Sequence, residues 1–200
     1  MNLLTDPLPD TVSVEGRSFE IVTDFRPWIE FEARLVRTDL LPENIIWDAV
    51  ESLYVNPPEE IRRFTHALFG HLIWFYRCGR PEKTEQHSEG GTFIRAYDFE
   101  QDASMIVAAF QQAYGIDLTT AKMHWWRFRA LFEGLPDDCR ICKIMEYRTA
   151  DTSDMPENTK ALYDRMKAKY QLEPLGSLMH KEYTVEERNA EFIKRLRRGE

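Results

Sequence analysis

The sequence predicts a mainly α, bundle-like chain of many helices that opens with a two-stranded β-hairpin. Three observations lead there. From Asp24 onward, apolar residues return every three or four positions in one segment after another. The segments start at Asp, Thr or Pro and stop at Gly, Asn or Pro, the residues that cap and break helices. Near the N-terminus the period changes to two, on either side of Glu15-Gly16.

Pro7 and Pro9 keep the first residues extended. Val12 and Val14 then alternate with Thr11 and Ser13, and Phe19 and Ile21 alternate with Ser18 and Glu20. The intervening Gly16 supplies the positive φ of a tight turn. Two strands alone are marginal in water, so this hairpin must lean on a helix. The first helix is predicted over Asp24 to Arg37, with a capping Asp, a Pro in its first turn, and Trp28, Phe31 and Leu35 as its stripe. A second fits Pro42 to Tyr54, with Ile46, Val50 and Leu53 in line, and Asn56-Pro57-Pro58 breaks it. The third runs from about Pro58 to Cys78 and ends at Gly79. Its ALFGHLIWFY run is apolar almost all round, which predicts burial on several sides, and it is too short to cross a bilayer.

Arg80 to Thr92 is charged and polar, with a Pro and a Gly pair, and reads as a flexible linker. The most aromatic stretch follows, a helical hairpin over Tyr97 to Pro136. Asp98 is a cap for its first helix, whose face carries Phe99, Ala103, Val107, Phe110 and Tyr114 with Ile106 alongside. Gly115 ends that helix, and Thr119 or Thr120 restarts it. On the second helix Phe128 sits mid-face, flanked by His124, Trp125, Leu131 and Phe132. Lys122, Arg129 and Glu133 fall on roughly the opposite side, and Trp126 falls among them. One of the two adjacent tryptophans must therefore face away from the hairpin's own core. Either another helix of the chain covers Trp126, or Trp126 is a binding anchor of the kind over-represented at interface hot spots.

A short helix is predicted over Asp137 to Arg148. Asp154-Met155-Pro156-Glu157 has capping-box spacing and opens another, with Leu162, Met166 and Tyr170 on one side. Pro174 and Gly176 interrupt it. Thr184-Val185-Glu186-Glu187 opens a last helix with Val185, Phe192 and Leu196 on one stripe and Lys194, Arg195, Arg197 and Arg198 at its end, where they complement the helix dipole. The domain reading is thus 1–79, hairpin plus three helices; 80–92, linker; 93–150, central helical hairpin plus short helix, packing on the N-terminal part; and 151–200, an amphipathic C-terminal helical arm.

A formal net charge of -8 argues against general nucleic-acid binding and against an anionic membrane as the main partner. From Glu157 onward ten Lys or Arg stand against eight Asp or Glu, a modest asymmetry that suits solvated helix faces. The three cysteines, with no signal peptide at the N-terminus, read as a reducing cytoplasm, and MNLLTDPLPD reads as the start of a mature cytosolic chain.

Chemistry-bearing motifs are sparse. Cys139-Arg-Ile-Cys142 has metal or redox spacing, but no second pair completes a tetrahedral site, and His66 and His71 lie about 140° apart on their helix. The cysteines read as small buried hydrophobes. No Gly-x-Ser-x-Gly and no phosphate-cradling glycine loop occurs, and the paired carboxylates stand at helix starts. No catalytic residue, metal or cofactor is therefore assigned. The candidate partner-binding residues are Trp126 with its neighbours Lys122 and Arg129, and Phe192 and Leu196 of the last helix, which follows a flexible segment and suits docking into a groove. The basic end of that helix is the one feature that would suit nucleic acid or a host factor.

YDFEQDASMIVAAFQQAYGIDL, HWWRFRALFEGLP and KIMEYR, with FRPWIEFE after the Pro-flanked hairpin, resemble the bacteriophage family named after gene product fifteen. The resemblance covers most of residues 1 to about 170. It implies no catalytic motif. Genes of this family lie among tail genes of long-tailed phages and prophages, just before the tape measure gene, where tail assembly chaperones are encoded. The resemblance therefore implies a protein that binds the tape measure chain and helps recruit tail-tube subunits; the alternative reading is a structural tail component retained in the virion, and association with its own copies is left open.

Overall fold

The computed structural model describes residues 2–36, 42–57, 65–81 and 94–173. In order these form β1 (Thr11–Val14), β2 (Arg17–Glu20), α1 (Phe25–Val36), α2 (Pro42–Leu53), α3 (Thr65–Tyr76), α4 (Ala103–Tyr114), α5 (Trp125–Glu133), α6 (Arg140–Thr149) and α7 (Glu157–Lys169). The fold is mainly α with an N-terminal antiparallel hairpin. The described residues form two compact units, one of residues 2–81 and 123–129 and the other of 94–122 and 130–173. Residues 123–129, continuous in sequence with the second unit, thus belong to the first.

In the first unit, Val12 pairs with Phe19 and Val14 with Arg17. Glu15 and Gly16 both have positive φ, as in a type I′ turn, so the turn strains a glutamate as well as using a glycine. The strands do not stand alone. Ile21 bridges Tyr54, the Val22 amide donates to the Leu53 carbonyl at 2.8 Å, and the Val55 amide donates to the Glu20 carbonyl at 2.9 Å. The end of α2 therefore supplies extra backbone partners to β2. Asp24 accepts the Arg26 amide at 3.1 Å and caps α1. The predicted stripes are the observed ones: Trp28, Phe31 and Leu35 of α1 and Ile46, Val50 and Leu53 of α2 are all buried. Buried polar groups are paired, the Trp28 indole N–H donating to the Val22 carbonyl and the Tyr54 hydroxyl to the Leu68 carbonyl. Burial also pushes the Tyr54 phenol far up from its ordinary pKa.

α3 departs from expectation. Leu68, Phe69, Leu72, Ile73 and Phe75 are buried, but His66, Ala67, Gly70 and Trp74, at spacings of three and four, are exposed. The run is apolar all round, yet one face is open.

In the second unit, Gly115 ends α4 in the left-handed region, as predicted. The start differs. Asp98 accepts the Glu100 and Gln101 amides and so caps the preceding turn, and α4 begins at Ala103. The buried stripe is Asp102, Ile106, Ala109 and Phe110, with Ala103 exposed, so the helix is rotated from the predicted face. Arg148 accounts for the rotation. Its guanidinium donates to both Asp102 carboxylate oxygens, at 2.6 and 2.9 Å, and to the Ala96 and Tyr170 carbonyls at 2.9 and 2.7 Å. Side-chain exposures of 7% and 2% make this a buried ion pair, and the bidentate geometry plus two carbonyls offsets the desolvation of both charges.

α6 starts at Arg140 rather than Asp137 and buries Ile141, Ile144 and Arg148. The cap of α7 is Pro156, with no side-chain hydrogen bond, so the predicted capping box at Asp154 does not form. α7 packs on α6 by Tyr163 against Tyr147, and the Lys167 ammonium donates to the Ala150 carbonyl, while Leu162 is exposed. Residues 58–64 of the predicted third helix, 82–92 of the predicted linker and the predicted last helix lie outside the described residues.

Removing one partner of the buried pair leaves the other charge uncompensated. Arg148→Met is expected to destabilise the chain by about 3–5 kcal/mol in denaturant unfolding. Arg148→Lys should recover less than half of that, because an ammonium cannot reproduce the two-pronged contact.

Candidate protein-binding site

A helix ends with carbonyls that lack partners inside it, and α3 meets this with amides of the turn that follows it and with side chains from far along the chain. The Trp126 indole N–H donates to the Phe75 carbonyl at 2.8 Å, and the Trp125 indole N–H donates to the Tyr76 carbonyl at 2.9 Å. The Arg77, Cys78 and Gly79 amides close on Ile73, Phe75 and Trp74 beneath them. Both tryptophans are buried, at 0% and 1% exposure. Trp125 stacks on Tyr76 and Phe128, and Trp126 meets Trp74 edge-on at 5.4 Å. Gly79 has φ of 70°, and a Cβ there would lie 2.8 Å from Cη2 of Trp126, so the turn must have no side chain.

Of the two readings of Trp126, cover by another helix of the chain is the one observed, and Trp126 is not an exposed anchor. A helical wheel reports angle around one helix and not which faces other elements cover, and here the end of α3 covers the charged side of α5. Arg129 is likewise engaged, lying 5.6 Å over the Trp125 ring and 4.0 Å from Glu32, which also accepts the Tyr76 hydroxyl at 2.7 Å. Lys122 is exposed and belongs to the second unit. Phe192 and Leu196 lie outside the described residues.

His124 caps α5, a role the sequence assigned to Thr119 or Thr120. Those threonines instead follow Asp117, whose carboxylate accepts the Thr119 amide and hydroxyl. The His124 Nδ1 accepts the Trp126 amide at 3.0 Å, and Nε2 stands 2.9 Å from the Pro9 carbonyl. Only the tautomer with its proton on Nε2 satisfies both contacts. Desolvation lowers the His124 pKa, against smaller upward pushes from the Pro9 carbonyl and Asp10.

Among the described residues, one exposed large hydrophobic side chain is Trp74, 36% exposed, with its ring backed by Trp126. It ends the open face of α3, where a Cβ added at Gly70 would meet nothing within 4 Å. A signal for it is present in the sequence: Ala67 and Gly70, the smallest members of the apolar run, share the face of Trp74, as does the polar His66 just before the run.

Across residues 4–172, spanning this face and both units, the sequence matches the family model described as Bacteriophage Gp15 protein. The chain belongs to that family. No curated protein and no solved structure matches it. The Gp15 assignment makes the protein phage-associated. Among the described residues of this Gp15 chain, no three His, Cys, Asp or Glu are grouped to hold a metal, and no helix is long and apolar enough to cross a membrane.

Trp126→Ala in this Gp15 protein should cost about 3–5 kcal/mol of stability, the range for truncating a buried aromatic, as read by denaturant unfolding. Gly79→Ala should cost about 1–3 kcal/mol through its left-handed backbone and the displaced ring. Because the folded His124 pKa lies below its unfolded value of about 6.5, the unfolded chain binds more protons. The stabilisation is complete above that pH and is lost as pH falls from it toward the folded value. Melting followed between pH 7 and 5 should drop in the native protein, and His124→Asn should flatten that drop.

Proposed function

We propose that this Gp15 protein is a non-enzymatic tail assembly chaperone that works in the host cytoplasm, binds the tape measure protein and helps recruit tail-tube subunits around it. It needs no cofactor and engages neither nucleic acid nor membrane. The observation that supports this reading is the open α3 face. Small residues at Ala67 and Gly70 permit close approach of a partner helix, and Trp74 beyond them is a large aromatic side chain held in place by Trp126. A net charge of -8 favours dispersal of the complexes formed with an aggregation-prone helical chain. The position of family genes beside the tape measure gene supports the same partner by analogy.

Co-expression with the neighbouring tape measure protein tests the reading. The tape measure chain should become soluble and co-purify, and Trp74→Ala should weaken capture roughly tenfold or more while the melting temperature changes far less than in Trp126→Ala. Persistent insolubility with no complex would overturn the chaperone role. Mass spectrometry of purified virions should not find the protein, and its presence at stoichiometric level would make it a structural tail component instead.

A further inference from the structure

Cys139 is the N-cap of α6, with extended backbone (φ -60°, ψ 141°), and its side chain makes no capping hydrogen bond. Ser, Thr, Asp or Asn usually holds this position, because an N-cap oxygen accepts an amide proton from N2 or N3. A thiol is a poor acceptor. Position N3, which an N-cap side chain overhangs, is occupied here by the second thiol, Cys142. Residues three apart on a helix have Cβ atoms about 5–6 Å apart, and an extended N-cap can swing its side chain toward N3, so the roughly 3.5–4.5 Å Cβ separation of a disulfide needs only a local adjustment. Both cysteines are unbonded thiols in this structure. Their exposure differs: Cys139 is 2% exposed, whereas Cys142 is half-buried, with its thiol 3.9 Å from the Leu135 carbonyl.

We propose that Cys139 and Cys142 form a reversible disulfide across the first turn of α6, with Cys142 meeting the oxidant and Cys139 resolving. The oxidant class is a small-molecule disulfide such as oxidised glutathione. The Cys142 thiol loses its proton to solvent and attacks one glutathione sulfur. The glutathione disulfide breaks, a mixed disulfide forms on Cys142, and one glutathione thiolate leaves and is protonated. Cys139 then loses its proton and attacks the Cys142 sulfur, the mixed disulfide breaks, and a second glutathione leaves. Two thiols give up two electrons and two protons, and one oxidised glutathione becomes two reduced ones. Burial raises the pKa of both thiols, with Asp138 adding to the effect at Cys139 and Cys139, Asp137 and Asp138 adding to it at Cys142. Oxidation is therefore slow at neutral pH and accelerates as pH rises.

Arg140 lies between the two cysteines, which makes the test simple. The full-length protein is equilibrated in glutathione buffers of increasing oxidised fraction, quenched by alkylation and cut with trypsin. The bond should appear as the peptides on either side of Arg140 remaining joined until reductant is added, together with a loss of two hydrogens from the intact mass. Cys78→Ser should leave this unchanged. Cys139→Ser, shown by circular dichroism to keep its helicity, should instead accumulate a glutathione adduct on Cys142, and Cys142→Ser should accumulate none on Cys139. Separate peptides at every redox ratio, a stable glutathione adduct on the native protein, or a bond that involves Cys78 would each overturn the proposal.

Discussion

The first unit depends on two indole N–H groups meeting the last carbonyls of α3. The Phe75 carbonyl, which also accepts the Cys78 amide, takes Trp126 as a second donor, and the Tyr76 carbonyl takes Trp125. Trp125 and Trp126 each add a large apolar surface and one hydrogen bond at that end. Much else follows. Gly79 must be bare, His124 must hold the first turn of α5 through Nδ1, and Pro9 must lie within reach of Nε2.

The second unit is held by a different device. Asp102 and Arg148 are buried charges that make four directed hydrogen bonds between the guanidinium and its acceptors, and Asp102 accepts a further one from the Asp98 amide. Apolar packing tolerates small slips, whereas a bidentate pair does not. The pair therefore selects one rotation of α4 relative to α6, the face with Ile106, Ala109 and Phe110 inward, over the alternative face centred on Ala103 and Val107.

The local signals in the sequence were the reliable ones. The hairpin, the stripes of α1 and α2, the stops at Gly79 and Gly115 and the existence of α4 to α7 are all set by short-range periodicity and turn chemistry. Misreadings arose wherever a partner from far along the chain decided the outcome. Asp102 has no apolar character to place it inside, and its burial requires Arg148. An imidazole is not among the usual caps, and His124 takes that role where its Nε2 meets the Pro9 carbonyl and the Trp125 amide donates to the Thr23 carbonyl at 2.7 Å. For Trp126 the wheel of α5 leaves two outcomes open, because it contains no information about α3, and cover by α3 is the one observed. The candidate site moved for the same reason, from a tryptophan that is covered to Trp74, which supports itself on it.

Residues 123–129 join the first unit although the second unit's α4 is translated between them and the rest. This sets an order on folding during synthesis. A nascent chain that stops anywhere before Trp125 has α3 with neither indole at its end, and the aromatic side chains that the two tryptophans pack on lack that cover. The N-terminal unit therefore cannot reach its final state as an early independent module, as contiguous domains commonly do on the ribosome. It waits, partly assembled, for a seven-residue insert supplied late.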